Sequence, residues 1–346
     1  MAETVLWYVH DRGSGHLHRA SAVTALLDSP VVVACGPGVH AKARHALSVP
    51  VRALPSDVPA TAEPTVGPWH HAPTSPEVRA RALALADVVR AHHCTTAVVD
   101  VSMEVVTLAR LMGLRVVALR QSGRRRDAAH CIGFASADIV WVPQCRALEP
   151  IDLPIDERWR FTGAFSRFDS LAPPLPARGR AQRLVVLLIG NGGHGLDVER
   201  WSQARPPDGW RVVVAGSADQ AAAGSPGRAP AGAVDVVGHV DPVFPLLADA
   251  DVVIASAGWS AVADVVAASA RLVLVPEDRP FDEQHVRARA LSAADLALFR
   301  DRWPTPEQLP AVLEEAMQLE PCRWHDHYDR RGGQRAAALV DELHAS

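Results

Sequence analysis

Short runs of β-branched and other apolar residues alternate along this chain with longer stretches rich in alanine and leucine. That is the pattern of βαβ units, which build a parallel sheet covered on both faces. In the first half the runs predict strands at Leu6–Val9, Val31–Ala34, Val51–Ala53, Ala97–Asp100, Val116–Leu119 and Ile139–Val142. Helices fill the gaps, notably His16–Leu27, Pro76–His92 and Ser102–Met112. Pro55 to Pro76 is rich in proline and has no period, which predicts a long loop carrying Trp69, His70 and His71 near its end.

The pattern breaks between Thr162 and Arg183, where Gly163-Ala164-Phe165-Ser166-Arg167-Phe168 and Pro173-Pro174-Leu175-Pro176 have the composition of an interdomain linker. It then restarts, with strands at Leu184–Ile189, Arg211–Ala215, Val234–Val237, Val252–Ala255 and Leu272–Val275 and a weaker sixth at Ala297–Phe299. Helices are predicted at Trp259–Ala268 and Asp282–Ala293, and Trp324 to His344 reads mostly as a terminal helix with Gly332-Gly333 as its kink or start. The organisation expected is an α/β chain of two Rossmann-like parallel-sheet domains, 1–165 and 184–333, joined by a linker at 166–183.

Composition removes several function classes. At 346 residues there is length for two cores, and a formal net charge of -4 gives no electrostatic case for nucleic acid. Lys42 is the only lysine, so neither glycine turn described below carries a P-loop lysine. Cys35, Cys94, Cys131, Cys145 and Cys322 are scattered and odd in number, which suits a reducing, cytoplasmic setting without a disulfide framework or a zinc site. The N-terminus reads as a first strand rather than a signal peptide, and no apolar stretch approaches a membrane span.

The chemistry-bearing positions lie at predicted strand ends. Gly13-Ser14-Gly15-His16-Leu17-His18-Arg19 lacks the third glycine of the dinucleotide fingerprint but presents His16 at a helix start, where positive charge is disfavoured and a neutral base is suited. A helix cap with a surface histidine explains the same residues. His16 and His18 point to different faces of a helix, so a metal pair is not expected. Likewise His70-His71 have no patterned carboxylate partner and read as exposed polar residues. Asp100 ends a strand on the same rim and suits the orientation of His16, though Asp100 and Ser102 also read as ordinary helix caps. Arg120-Gln121-Ser122-Gly123-Arg124-Arg125-Arg126-Asp127 suits either bidentate anion binding or a solvated loop.

In the second half Gly190-Asn191-Gly192-Gly193-His194-Gly195 follows a strand with four glycines in six residues, a turn that admits a pyrophosphate close to its backbone. Ser256-Ala257-Gly258-Trp259-Ser260 opens a second helix N-terminus, with Asp264 one turn on, and Pro276-Glu277-Asp278-Arg279-Pro280-Phe281-Asp282-Glu283-Gln284 groups polar side chains suited to hydroxyls.

With these motifs in this order the chain resembles the GT-B glycosyltransferases, and within them the family 28-like group that includes the lipid II-forming N-acetylglucosaminyltransferase. The resemblance covers nearly the whole chain as architecture, with its specific motifs at 184–290. It implies two domains facing each other across a cleft. It puts a nucleotide-sugar diphosphate on Asn191, Gly192, Gly193, His194 and on Gly258, Trp259 and Ser260. It puts ribose on Asp264, the base on the backbone of His239 and Val240, and the donor sugar on Glu283 and Gln284. Glu283 departs from the glutamine of the lipid II enzyme. Gly15 and His16 match the family's acceptor-side turn, which implies His16, assisted by Asp100, as catalytic base.

The expected activity is inverting transfer from a UDP-linked sugar to a hydroxyl acceptor, without cofactor or metal. Trp69, Arg120, Asp127 and His130 are the acceptor-side candidates. A UDP-sugar hydrolase of the same fold, whose turn Gly13-x-Gly15-His16-x-x-Arg19 also matches, and a non-catalytic nucleotide-sugar-binding subunit remain alternatives at this point.

Overall fold

A computed structural model of the chain describes residues 3–11, 15–56, 65, 67–172, 181–190, 193–216 and 233–346. Gly13, Ser14, Asn191 and Gly192, named above, lie outside the described residues. The chain divides into two compact units, one formed by Met1–Arg146, Ile151–Ala164 and Arg331–Ser346, the other by Ala147–Pro150 and Phe165–Arg330.

The first unit contains β1 (Thr4–Val9), α1 (Gly15–Thr24), β2 (Val31–Cys35), α2 (Pro37–Ala46), β3 (Val51–Ala53), α3 (Pro76–Ala91), β4 (Cys94–Asp100), α4 (Met103–Leu111), β5 (Arg115–Leu119), α5 (Ala128–Ser136), β6 (Ile139–Val142) and β7 (Trp159–Phe161). Its sheet has the order β3-β2-β1-β4-β5-β6-β7, with every pairing parallel. Val5 to Val9 are essentially inaccessible, as a central strand covered on both faces requires. β7 carries no periodic signal because it is three residues long and its central Arg160 is exposed.

The second unit contains β8 (Arg183–Ile189), α6 (Val198–Ser202), β9 (Trp210–Gly216), β10 (Asp235–Gly238), α7 (Phe244–Asp249), β11 (Val252–Ala255), α8 (Trp259–Ala267), β12 (Arg271–Leu274), α9 (Glu283–Ala293), β13 (Leu298–Phe299) and α10 (Leu309–Ala316). The order β10-β9-β8-β11-β12-β13 repeats that of the first unit through six strands, again parallel. In both sheets the order reverses beside the first strand, and the carboxyl ends there form the crevice in which open α/β sheets bind ligands. Gly216 ends β9 at φ 129°, where a Cβ would sit 1.9 Å from the Ile189 carbonyl oxygen. The close approach of β8 and β9 at that crevice therefore requires glycine.

The expected terminal helix is two elements. A 3-10 turn spans Pro321–Asp326, and α11 (Gly332–Ala345) begins only at the glycine pair. A Cβ on Gly332 would lie 2.6 Å from the carbonyl oxygens of Gly163 and Ala164, so the helix start is fixed by this contact. In the first unit α11 packs on α1, β4 and β5, and Asp341 accepts hydrogen bonds from the backbone of Asp28 and Ser29 at 3.1 and 3.0 Å. The stretch 166–172, read from composition as linker, is packed into the second unit. Among the described residues no helix is long and apolar enough to cross a membrane.

Candidate active site

The first unit builds a histidine and carboxylate pair at the end of its central strands. His16 is the second residue of α1, and its Nδ1 lies 3.1 Å from Oδ1 of Asp100, the last residue of β4. The approach is off-axis for a hydrogen bond. Asp100 is fully buried, and Arg19, one turn after His16 on α1, donates from Nη1 to both its oxygens at 2.7 and 2.9 Å. Burial pushes the Asp100 carboxyl upward, but the charge of Arg19 and then His16 outweighs it and holds Asp100 below the ordinary carboxylate range. The carboxylate is therefore ionised at neutral pH beside the ring. His10, at the end of β1, brings its ring 5.6 Å from that of His16. Arg19 was visible in the sequence only as part of a turn motif; that it neutralises a buried acid depends on a contact 81 residues apart in sequence.

The acceptor-side candidates are more internal than the sequence suggested. Arg120 is buried and donates to the carbonyls of Gln121 and Gly123 at 3.1 and 3.2 Å. Arg125, also buried, donates to the Gln121 carbonyl and to His130 Nε2. These two guanidinium groups tie the β5–α5 loop together. His130 is buried too, and its Nδ1 lies 2.6 Å from Asp127, whose other oxygen lies 2.5 Å from His70 Nε2. His70 thus has a carboxylate partner, contrary to its reading as an isolated polar residue; the partner comes from α5, beyond the reach of local pattern. Glu104, at the start of α4, accepts the backbone N–H groups of both His70 and His71 at 2.8 Å. Trp69 packs partly buried against the core of the unit.

His70, Asp127 and His130 bring three potential ligand atoms within 4.8 Å of one another. Arg125 decides against a metal there. A guanidinium only donates, so His130 Nε2 must accept, its proton sits on Nδ1, and Nδ1 donates to Asp127 instead of offering a lone pair. Burial, then the Arg125 charge, pushes His130 down to about 4, so the ring is neutral. Burial pushes Asp127 up, but hydrogen bonds from the ring and backbone of His130 and from His70 bring it down to about 2.

In the second unit β11 runs into α8 through Ser256-Ala257-Gly258. Gly258 is the N-cap residue, no side chain caps the helix, and its first turn holds no acid. Gly258 thus brings no side-chain cap to α8; α3, α4, α5 and α6 are capped by Ser75, Ser102, Asp127 and Asp197, while α2, α7, α9, α10 and α11 also lack a side-chain cap. Among the described residues, the Oγ of Ser260, the second residue of α8, is buried without a hydrogen-bond partner, as is Nδ1 of His194 in the turn after β8. His239 is exposed and Val240 half-buried just after β10.

Two donor-side candidates are already engaged within the protein. Asp264 is buried, and its oxygens accept from Ser166 Oγ at 2.6 Å and Arg167 Nε at 3.3 Å. Burial pushes its carboxyl up to about 6, with Arg167 and Ser166 acting in the opposite sense. Gln284 is buried, and its Oε1 accepts the backbone N–H groups of Ala257 at 3.1 Å and Glu277 at 2.9 Å. Glu283 opens α9, and Trp259 stacks edge-on against Phe165, with centroids 4.8 Å apart.

Residues 215–331 match the family described as the glycosyltransferase family 28 C-terminal domain. Its fold is shared across nearly the full chain with solved glycosyltransferases. Among them MurG of Acinetobacter baumannii is 16% identical, with a TM-score of 0.70, covering 99% of this chain and 100% of that one. The chain has the GT-B fold, and its residues 215–331 are similar to the family 28 C-terminal domain. The glycotransferase of kitacinnamycin has 16% identity and a TM-score of 0.67, covering 99% of this chain and 100% of its own. Spinosyn rhamnosyltransferase SpnG complexed with thymidine diphosphate has 17% identity and a TM-score of 0.57, covering 99% and 96%. No curated protein matches the chain by sequence.

Proposed function

We propose that this protein is an inverting glycosyltransferase that moves a sugar from a nucleoside-diphosphate donor, UDP-linked, to an acceptor hydroxyl. The observation that carries the donor side is the N-terminus of α8, without a side-chain cap, and beside it the Ser260 hydroxyl, which has no partner among the described residues, the arrangement that anions select. SpnG, of the same fold, is recorded with thymidine diphosphate, which supports the nucleoside diphosphate class. As the sugar becomes oxocarbenium-like, charge develops on the leaving diphosphate; helix N–H groups and the hydroxyl meet it, so this arrangement does not require a metal. His16 accepts the proton of the acceptor hydroxyl. Asp100, kept ionised by Arg19, stabilises the imidazolium that forms. The oxygen of the acceptor then attacks the anomeric carbon as the bond to the β-phosphate breaks, with inversion in a single displacement.

Thermal-shift titration with UDP-, dTDP- and GDP-sugars tests the donor class, because a ligand that binds only the folded state raises the melting temperature. His16→Ala is expected to lower transfer by about 10²–10⁴-fold while UDP affinity stays within twofold. Release of free sugar at full rate without any acceptor would replace transfer by hydrolysis. A UDP shift with neither reaction would leave a nucleotide-sugar-binding subunit.

A further inference from the structure

The loops after β8, β11 and β12 carry the proposed donor residues, yet a glycine turn such as 193–195 has no side-chain framework to hold its own shape. The framework comes from the segment after β12. Glu277 Oε1 accepts the backbone N–H of Gly195 at 3.1 Å and the indole Nε1–H of Trp303 at 2.7 Å. Trp303 is buried, and a Cβ on Gly195 would lie 3.6 Å from its ring, so indole and turn are in contact as well as bridged. Arg279, two residues on, donates to the Gly193 carbonyl at 3.1 Å. The Glu277 backbone N–H is itself held by Gln284 Oε1, which also holds Ala257 N–H one residue before the α8 cap. One chain of bonds thus joins Trp303, Glu277 and Gln284 to both anion-facing loops.

We infer that Glu277 and Trp303 are positioning residues for the diphosphate, fixing residues 193–195 in the form that receives it, and that Gln284 positions the α8 cap. This inference rests on the donor reading above. A carboxylate oxygen taking two N–H donors makes charge-assisted bonds. Removing it frees the Gly195 amide and leaves the buried indole N–H without an acceptor. The turn then has to be ordered by the ligand, which lowers affinity. The pair escapes a motif search because Glu277 reads as one of several polar residues and Trp303 lies 26 positions away.

The test is calorimetric binding of UDP to the full-length protein, with a urea melt of each variant. Glu277→Ala is expected to weaken UDP by roughly tenfold to a hundredfold, Glu277→Gln by less because it keeps an acceptor oxygen, and Trp303→Phe by less again. In turnover the donor KM rises more than kcat falls. Wild-type binding with all three folded variants within twofold overturns the positioning role and leaves the donor reading standing, even if their melts shift. No binding of UDP, dTDP or GDP to the wild type overturns both. The Gln variant keeps the test open should the Ala variant fail to fold.

Discussion

The junctions β4–α4 and β11–α8 occupy equivalent places in sheets of the same strand order, and they are finished in opposite ways. After β4 the chain buries Asp100 and caps α4 with Ser102, whose Oγ accepts the Val105 N–H, with Glu104 in the first turn. After β11 it places Gly258, no cap and no acid. The first junction keeps its negative charge inside the protein and turns it towards a histidine. In the proposed function, the second leaves the positive end of a helix for an anion to complete. A shared fold supplies both positions; a few residues at each junction decide which chemistry it carries.

Substitutions that interfere with one junction at a time separate the two roles. The largest effect is expected from Asp100→Asn, which leaves Arg19 buried without its counter-charge and should cost about 3–5 kcal/mol in a urea melt, together with most of the transfer rate. UDP affinity of the folded fraction should be unchanged; a parallel loss of UDP binding would undo the division of labour. Next is the one acid of α8, Asp264, whose carboxyl is pushed up to about 6 mainly by burial. A carboxyl with a higher pKa in the fold than in the unfolded chain takes up protons on folding. Its contribution is full below about pH 4 and is lost as the pH rises through 6, about 3 kcal/mol in all. Asp264→Asn should therefore lose less stability than the wild type between pH 5 and pH 7, and an identical slope would show that the carboxyl is not perturbed. The smallest effect is that of Ser102→Ala, about 1 kcal/mol for a lost cap, read as a shifted urea midpoint with the slope unchanged.

The sheets were legible from sequence because most buried parallel strands are apolar runs, which stand out even without period-two alternation. Strands at the edge such as β7, with an exposed Arg160 in three residues, give no such run. At the sites, the residues next to glycine turns could be picked out, since backbone freedom leaves a local mark. What those side chains touch could not. Arg120 and Arg125 read as either anion-binding or solvated groups, and their bonds to the carbonyls of their own loop leave no mark in the sequence. Asp264 and Gln284 read as donor contacts and already hold Ser166 and the Ala257 amide. His70 and Asp127, and Glu277 and Trp303, meet only through tertiary packing, so no spacing rule could pair them.

The central claim, that α8 is left uncapped for a diphosphate, is tested most directly by capping it. Gly258 has an extended backbone that any residue adopts, and a Cβ there would meet Ser256 Oγ at 3.8 Å and Gln284 Nε2 at 4.0 Å, ordinary contact distances. Gly258→Asp should therefore fold, melt at or slightly above the wild-type temperature by a cap worth a few tenths of a kcal/mol, and bind UDP at least about tenfold more weakly by calorimetry, since the new carboxylate occupies the anion's place. An equally stable Gly258→Asp protein that binds UDP with wild-type affinity would contradict the account.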